Sequence, residues 1–182
     1  MKKLIRFIST DDFRKVLKAE KDNSFKLAYV LGFGSGLRIS EIVGPAENSN
    51  QDIKPIQAHQ IDLNTKQIKV LGKGGKERIT VINPIFPIKE SMLKLLPLKI
   101  QRRTLQNRFK AICVKTLGKP LNFHTTRHGF ANHMINERNL PMPMVQGFGG
   151  WARLDTVGIY AVANPVQAIN KVWEGFWWRF ID

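Results

Sequence analysis

Tyr160, one of only two tyrosines, closes an ordered series of side chains that can do acid–base and nucleophilic chemistry. The earlier members, in chain order, are Arg38, Lys73, His124, Arg127 and Trp151. Two always-protonated guanidiniums can neutralise the charge that builds on the oxygens of an attacked phosphate. A phenol can attack the phosphorus and conserve the bond energy in a covalent intermediate. The series therefore predicts cleavage and rejoining of a nucleic acid strand, with no cofactor and no metal ion.

The two arginines are each expected at a helix start. His124 and Arg127 are three residues apart in HTTRHG, so they share one face of the first turn of a predicted helix. That turn presents free N–H groups to a phosphate, and Asn122 is a candidate N-cap. Arg38 follows a Gly-rich turn in GSGLRISE, and Glu41, one turn further on, is expected to orient it.

The histidines allow a second interpretation, a metal site, because His124 and His128 are four residues apart and His133 follows. A metalloenzyme motif of this kind would have Glu after the first histidine, whereas Thr125 stands there without an accompanying carboxylate cluster. A metal site is therefore not favoured, and His128 is expected to brace the phosphate site from behind.

Lys73 and Trp151 are the expected proton and hydrogen-bond donors. Lys73 lies in GKGGKER between two predicted strands, where glycines let the tip approach a backbone closely. An ammonium can protonate the departing 5′-oxygen, so Lys73 is the preferred general acid and Lys76 its competitor. For either lysine, simple contact with phosphates is the alternative. Trp151 can donate its indole N–H to a phosphate oxygen, with packing in the core as its alternative.

Composition points to a polyanionic partner. The chain has 182 residues, enough for one sizeable core, and 29 Lys+Arg against 14 Asp+Glu give a formal charge of +15. Nucleic acid is the first expected partner and an acidic membrane surface the second. No signal sequence or membrane-spanning run is evident, so we expect a cytoplasmic, nucleoid-associated protein. Cys113 and Tyr29 lie in apolar patterns and are expected in the core.

The element pattern predicts an α+β fold, mainly α-helical with a small antiparallel three-stranded sheet. Strands are expected in IQAHQIDL, QIKVL and RITVIN. Helices are expected from Ser9 or Thr10, from Asn23, around residues 40–43, 88–96 and 105–117, and over residues 124–139. A further helix carrying Tyr160 is expected to be capped by Asp155 or Thr156. A last one starts at Asn164-Pro165, and its apolar stripe is expected either in the protein's own core or on a neighbouring subunit.

Together these motifs resemble the tyrosine recombinase (phage integrase) family over roughly residues 10–166. GLRISE resembles its first arginine box, GKGGKER its β-hairpin lysine, HTTRHGFANHM its His-x-x-Arg-His box and GGWARLDTVGIY its final box. The resemblance implies a site-specific recombinase or integrase that forms a 3′-phosphotyrosyl intermediate on double-stranded DNA. It also implies a homo-oligomer, a tetramer in the synaptic complex, with a free monomer as the alternative. The implied roles are phosphate binding by Arg38 and Arg127, acid catalysis by Lys73, proton transfer by His124, hydrogen-bond donation by Trp151 and nucleophilic attack by Tyr160.

Two departures from the family accompany the resemblance. Trp151 replaces the usual histidine of the final box. Residues 1–182 are also expected to form a single catalytic domain, without the family's N-terminal core-binding domain. Two rival functions stay open. One is DNA relaxation by a type IB topoisomerase. His124 disfavours this function, because the type IB topoisomerase motif usually has lysine or another residue at the position of His124. The other is a non-catalytic DNA-binding module.

Overall fold

The structure is a computed structural model, and it describes residues 7–46, 49, 53–72 and 75–161. The described helices are α1 (Thr10–Ala19), α2 (Asn23–Gly34), α3 (Ile39–Val43), α4 (Glu90–Leu93), α5 (Arg102–Leu117), α6 (His124–Asn132), α7 (Met142–Gly149) and α8 (Asp155–Gly158). A π-helical turn, His133–Glu137, continues α6. Strands β1 (Ile61–Asp62), β2 (Gln67–Leu71) and β3 (Glu77–Val81) form an antiparallel sheet in that order. The predicted fold, mainly helical with a small three-stranded sheet, is confirmed.

Local capping explains where the first helices begin. The Ser9 hydroxyl accepts a hydrogen bond from the backbone N–H of Asp12, at 3.2 Å, and so satisfies one of the free donors of α1. Asp22 does the same for the first turn of α2, accepting from Ser24 at 2.7 Å. Phe13 and Val16 are buried on the inner face of α1, as their spacing predicts.

Helix α2 runs through the centre of the main core. Phe33, near its end, stacks on Phe13 with ring centroids 4.2 Å apart. Tyr29 is fully buried and donates to Glu20 at 3.1 Å, and Cys113 is also fully buried. Both were predicted as core residues, and this is confirmed.

Several local predictions were wrong. Residues 58–60 form a 3-10 turn, and the first strand is limited to the two residues of β1. The helix expected over residues 124–139 does end before Pro141, but α7, which was not predicted, begins directly after it with Pro141 as its N-cap and Pro143 in its first turn. The first turn tolerates proline because its N–H groups have no partner within the helix.

The end of the described chain also differs from the prediction. Leu154, not Asp155 or Thr156, is the N-cap of α8, and Tyr160 lies two residues beyond that helix. The helix predicted from Asn164 lies outside the described residues. Among the described residues, no helix combines the length and the apolar character needed to cross a membrane.

Gly129 packs so closely in α6 that a methyl group does not fit. A Cβ there would lie 2.5 Å from the Ile8 carbonyl oxygen and 2.6 Å from the Phe33 ring. We expect Gly129→Ala to lower the free energy of unfolding by about 2 kcal/mol, as overpacked cores do. Denaturant titration checks this. The matched control is Gly147→Ala in α7, where nothing lies within 4 Å of the added methyl. Equal stability changes in the two variants would contradict the packing argument.

Candidate active site

A shared carboxylate organises one half of the site. Arg38 lies at the start of α3, and Glu41, one turn later, is 2% exposed. Glu41 accepts from the Arg38 guanidinium at 2.9 Å and from the Arg38 backbone N–H at 2.7 Å. Arg78 of β3 binds the same carboxylate with both terminal nitrogens, each at 2.7 Å. Burial by itself would raise the pKa of Glu41, but the hydrogen bonds and charges of these arginines hold it below its ordinary value.

Arg38 also reaches the segment that precedes Tyr160. Its second terminal nitrogen donates to the carbonyl of Gly150 at 2.7 Å, and its side chain is 39% exposed. Arg38 is therefore held by α3 and by the turn after α7, yet part of its guanidinium faces solvent. The prediction that Glu41 orients Arg38 is in accord with this geometry.

Arg127 lies deeper and is covered by Trp151. It is 2% exposed and donates to the carbonyl of Gly36 at 2.5 Å. Its guanidinium carbon lies 4.0 Å from the centroid of the Trp151 ring, a cation–π contact. Gly149 permits this placement, because a Cβ at that position would come within 1.8 Å of the same ring. Burial and the nearby Arg38 lower the pKa of Arg127 to about 9, so the guanidinium stays charged at neutral pH.

Two imidazole side chains lead from α6 to the Tyr160 phenol. His124 and His128 lie edge to face with ring centroids 4.4 Å apart, and the His128 ring lies 5.5 Å from that of Tyr160. His128 Nδ1 contacts the Tyr160 hydroxyl directly. The amide of Asn136 donates to the Tyr160 carbonyl at 2.7 Å and so holds its backbone. His128, expected only to brace the site, is therefore the immediate neighbour of the phenol.

The surroundings favour the neutral forms of these groups. Tyr160 is 3% exposed, and burial raises its pKa to about 12, although the charge of Arg127 acts against that. Burial, with His124 and Arg127 nearby, lowers the pKa of His128 to about 4. Partial desolvation, Arg127 and Arg38 also lower the pKa of His124. Both imidazoles are therefore neutral at pH 7 and can accept a proton.

The predicted set is largely assembled in one place. Arg38 and Arg127 contact adjacent residues, Gly150 and Trp151, and the charge of Arg127 acts on both His124 and Tyr160. Lys73 lies outside the described residues. Sequence analysis missed Arg78, because the apolar alternation of RITVIN favours Ile79 and Val81 as the inward residues. The structure instead places Arg78 on the same face as buried Thr80 and leaves Ile79 51% exposed. An arginine on the inner face of a strand needs a buried carboxylate partner.

The neutral His128 makes stability depend on pH. Its pKa is about 4 in the folded chain against an ordinary 6.5, so the unfolded chain binds the proton more tightly. The contribution to stability is complete above pH 6.5 and is lost as the pH falls toward 4. For this group, the pKa difference sets an upper bound of about 3 kcal/mol on the loss of unfolding free energy over this range. We expect a smaller loss, because the His128 ring is partly exposed to solvent.

Urea titrations at pH 7, 6 and 5 measure this dependence. His128→Asn should flatten it, whereas the matched variant His59→Asn, at an exposed position, should keep the wild-type slope. A slope unchanged in His128→Asn would show that other groups cause the acid sensitivity.

Comparison with known proteins supports one family. The model of the phage integrase family matches residues 85–166. Tyrosine recombinase XerC of Stutzerimonas stutzeri is 28% identical, with 95% of this chain covering 60% of that protein. XerC of Psychromonas ingrahamii is 30% identical, with 95% of this chain covering 61% of that protein. The chain thus spans about three fifths of the length of these relatives.

Solved structures of recombinases and integrases share the fold of this chain. The XerH site-specific recombinase bound to palindromic difH substrate, in a post-cleavage complex, matches with a TM-score of 0.68 at 21% identity. That match covers 94% of this chain and 54% of XerH. The catalytic domain of bacteriophage HP1 integrase matches with a TM-score of 0.59 at 15% identity, covering 91% of this chain and 94% of that domain. The family model and the relatives support the tyrosine recombinase, or phage integrase, family, and the chain has the fold of that family's catalytic domain.

Proposed function

We propose that this chain is the catalytic domain of a site-specific DNA recombinase or integrase, with Tyr160 as its nucleophile. The observation that carries the proposal is the convergence of Arg38 and Arg127 on the Gly150–Trp151 turn, with the Tyr160 phenol within electrostatic reach of Arg127. A phosphate at this point would meet two fixed cations. The chemistry of the site and the family of the chain support the same activity.

The proposed reaction is a transesterification. The Tyr160 oxygen attacks the scissile phosphorus, a 3′-phosphotyrosyl bond forms, and the bond to the 5′-oxygen breaks. The phenol proton passes to a neutral imidazole, either His124, which the family resemblance suggests, or His128, which contacts the hydroxyl. The departing 5′-oxygen takes a proton from the hairpin lysine, Lys73 or Lys76. Attack by the freed 5′-hydroxyl of another strand reverses these steps and joins the strands without ATP.

Substrate binding must first uncover the site. Arg127 is covered by the Trp151 ring, and Tyr160 is 3% exposed. We propose that DNA draws Trp151 and the segment after α7 aside, so that a phosphate oxygen replaces the protein carbonyls on both arginines. The Trp151 N–H then donates to the phosphate. The same closed arrangement would suit a non-catalytic DNA-binding module, so cleavage has to be tested directly.

The proposed partner is double-stranded DNA, in keeping with the net charge of +15. XerH was solved bound to its difH substrate, and Tn1549 integrase in complex with transposon right end DNA. A homo-oligomer, a tetramer when two DNA sites are synapsed, would bring the four strand ends together. Sedimentation with and without DNA tests this assembly.

The decisive test is covalent capture on a nicked suicide substrate. We expect the wild type to form an adduct in the presence of EDTA, and Tyr160→Phe to form none because it lacks the attacking oxygen. The matched control is Tyr29→Phe, which removes the hydroxyl of the other tyrosine, buried in the core and hydrogen-bonded to Glu20. Denaturing gel electrophoresis of labelled DNA measures the covalent adduct formed by the wild type and by each variant. An adduct that persisted in Tyr160→Phe would place the nucleophile elsewhere, and turnover that only relaxed supercoils would favour the topoisomerase alternative.

The arginine pair should matter for rate more than for affinity. We expect Arg38→Ala or Arg127→Ala to slow adduct formation by about 100-fold or more, because each would remove charge stabilisation of the transition state. DNA affinity, measured by fluorescence anisotropy, should stay largely intact because many other cations contact the backbone. Loss of DNA binding in either variant would leave its catalytic role unsupported.

A modified substrate can identify the general acid. When sulfur replaces the bridging 5′-oxygen, the leaving thiolate needs no proton, so loss of the acid no longer matters. We expect Lys73→Ala to cleave ordinary DNA at least about 100-fold more slowly and to recover on the sulfur substrate. Lys76→Ala is the matched variant in the same hairpin. If only Lys76→Ala recovered its cleavage rate on the sulfur substrate, Lys76 would be the general acid.

A further inference from the structure

We propose that Arg78 is the positioning residue of this site: it sets the geometry of Arg38 and of the Trp151 turn without touching the DNA. This inference rests on the proposed function, since it names the residue that assembles the catalytic arginines. Arg78 was not among the residues that the motifs assigned to chemistry.

All three nitrogens of the Arg78 guanidinium are engaged by the protein. Its two terminal nitrogens bind the two oxygens of Glu41, each at 2.7 Å, and its Nε donates to the carbonyl of Phe148 at 2.9 Å. The side chain is 11% exposed. With each nitrogen bound to the protein and little of the side chain exposed, the Arg78 guanidinium is poorly placed to hold a phosphate. It is therefore a structural cation within the site.

Arg78 limits how strongly Glu41 holds Arg38. One oxygen of Glu41 is shared by the two guanidiniums, and the other binds Arg78 together with the Arg38 backbone. Without Arg78, the buried carboxylate would have Arg38 as its remaining cation. A bidentate Glu41–Arg38 pair would then form and withdraw Arg38 from the phosphate. Arg78 thus keeps one terminal nitrogen of Arg38 directed toward Gly150.

Arg78 also supports the turn that carries Trp151. Its Nε holds the Phe148 carbonyl, and a Cβ added to Gly150 would lie 2.9 Å from the Arg78 side chain. The turn therefore rests directly on this side chain. Its position decides where the Gly150 carbonyl meets Arg38 and where the Trp151 ring covers Arg127.

The strand that carries Arg78 is anchored next to it. Thr80, on the same face of β3, donates to the carbonyl of Ser35 at 2.8 Å. Arg78 thus fixes β3 against α3, and Thr80 fixes it against the segment between α2 and α3. Strand β2, which pairs with β3, is thereby also placed relative to Arg38. A lysine at position 78 could not replace Arg78, because one ammonium cannot bind both carboxylate oxygens and a carbonyl in a fixed plane.

The test compares Arg78→Lys with Arg14→Lys, a matched change at an exposed arginine of α1. Three quantities are measured: the single-turnover rate of adduct formation, the DNA dissociation constant and the ¹⁹F resonance of Trp151. All four tryptophans are replaced by 5-fluorotryptophan, and Trp151→Phe identifies the resonance. We expect Arg78→Lys to slow adduct formation roughly 100-fold, to change DNA affinity by less than about threefold and to shift the Trp151 resonance. Arg14→Lys should leave all three unchanged.

Two results would overturn the proposal. One is a wild-type rate and an unshifted Trp151 resonance in Arg78→Lys, which would make Arg78 dispensable. The other is a parallel loss of DNA affinity and cleavage, which would make Arg78 a phosphate ligand. If the wild type forms no adduct, the proposed function fails, and the Trp151 resonance alone decides the positioning role.

A second variant covers the case in which Arg78→Lys does not fold. Glu41→Gln combined with Arg78→Gln removes both charges and so avoids an unpaired buried carboxylate. We expect this double variant to fold, as its circular dichroism spectrum would show, but to shift the Trp151 resonance and to cleave roughly 100-fold more slowly. Wild-type values for both would contradict the proposal.

Discussion

The site depends on one buried carboxylate. Glu41 is 2% exposed, and it accepts hydrogen bonds from the backbone N–H of Arg38 and from two guanidiniums. A buried charge of this kind is tolerable only when cations surround it and its lone pairs are satisfied. Helix α3 and strand β3 must therefore meet at this point, and Arg78 holds the end of α7 there through its hydrogen bond to the Phe148 carbonyl.

The guanidiniums of Arg38 and Arg127 form a basic pocket that is closed by protein groups. The carbonyls of Gly36 and Gly150 each accept from one of the two arginines, at 2.5 and 2.7 Å. Under the proposed function, these neutral acceptors are the ones that phosphate oxygens would displace, because an anion binds a guanidinium more strongly than a carbonyl does. The Trp151 ring over Arg127 also gives this buried cation a partner within the protein, which under the proposed function DNA would replace.

The phenol is held in its neutral form by the same surroundings. Burial raises the pKa of Tyr160 to about 12, and its hydroxyl contacts a neutral His128. Closer contact with Arg127 would act in the opposite direction, since a positive charge favours the phenolate. Under the proposed function, reactivity is thus coupled to the rearrangement that would open the pocket. An unoccupied site with a protonated phenol has little tendency to attack other electrophiles.

The sequence by itself determined what depends on neighbouring residues. Ser9 and the apolar spacing of α1 specify that helix, and the ordered motifs identify the family and the side chains suited to its chemistry. Tertiary structure alone decided which of them meet. Glu41 and Arg78 are 37 residues apart, and Arg38 and Gly150 are 112 apart. Such pairs, and the burial of Tyr160, depend on how complete elements pack, because burial is a property of the surrounding atoms and not of the residue type.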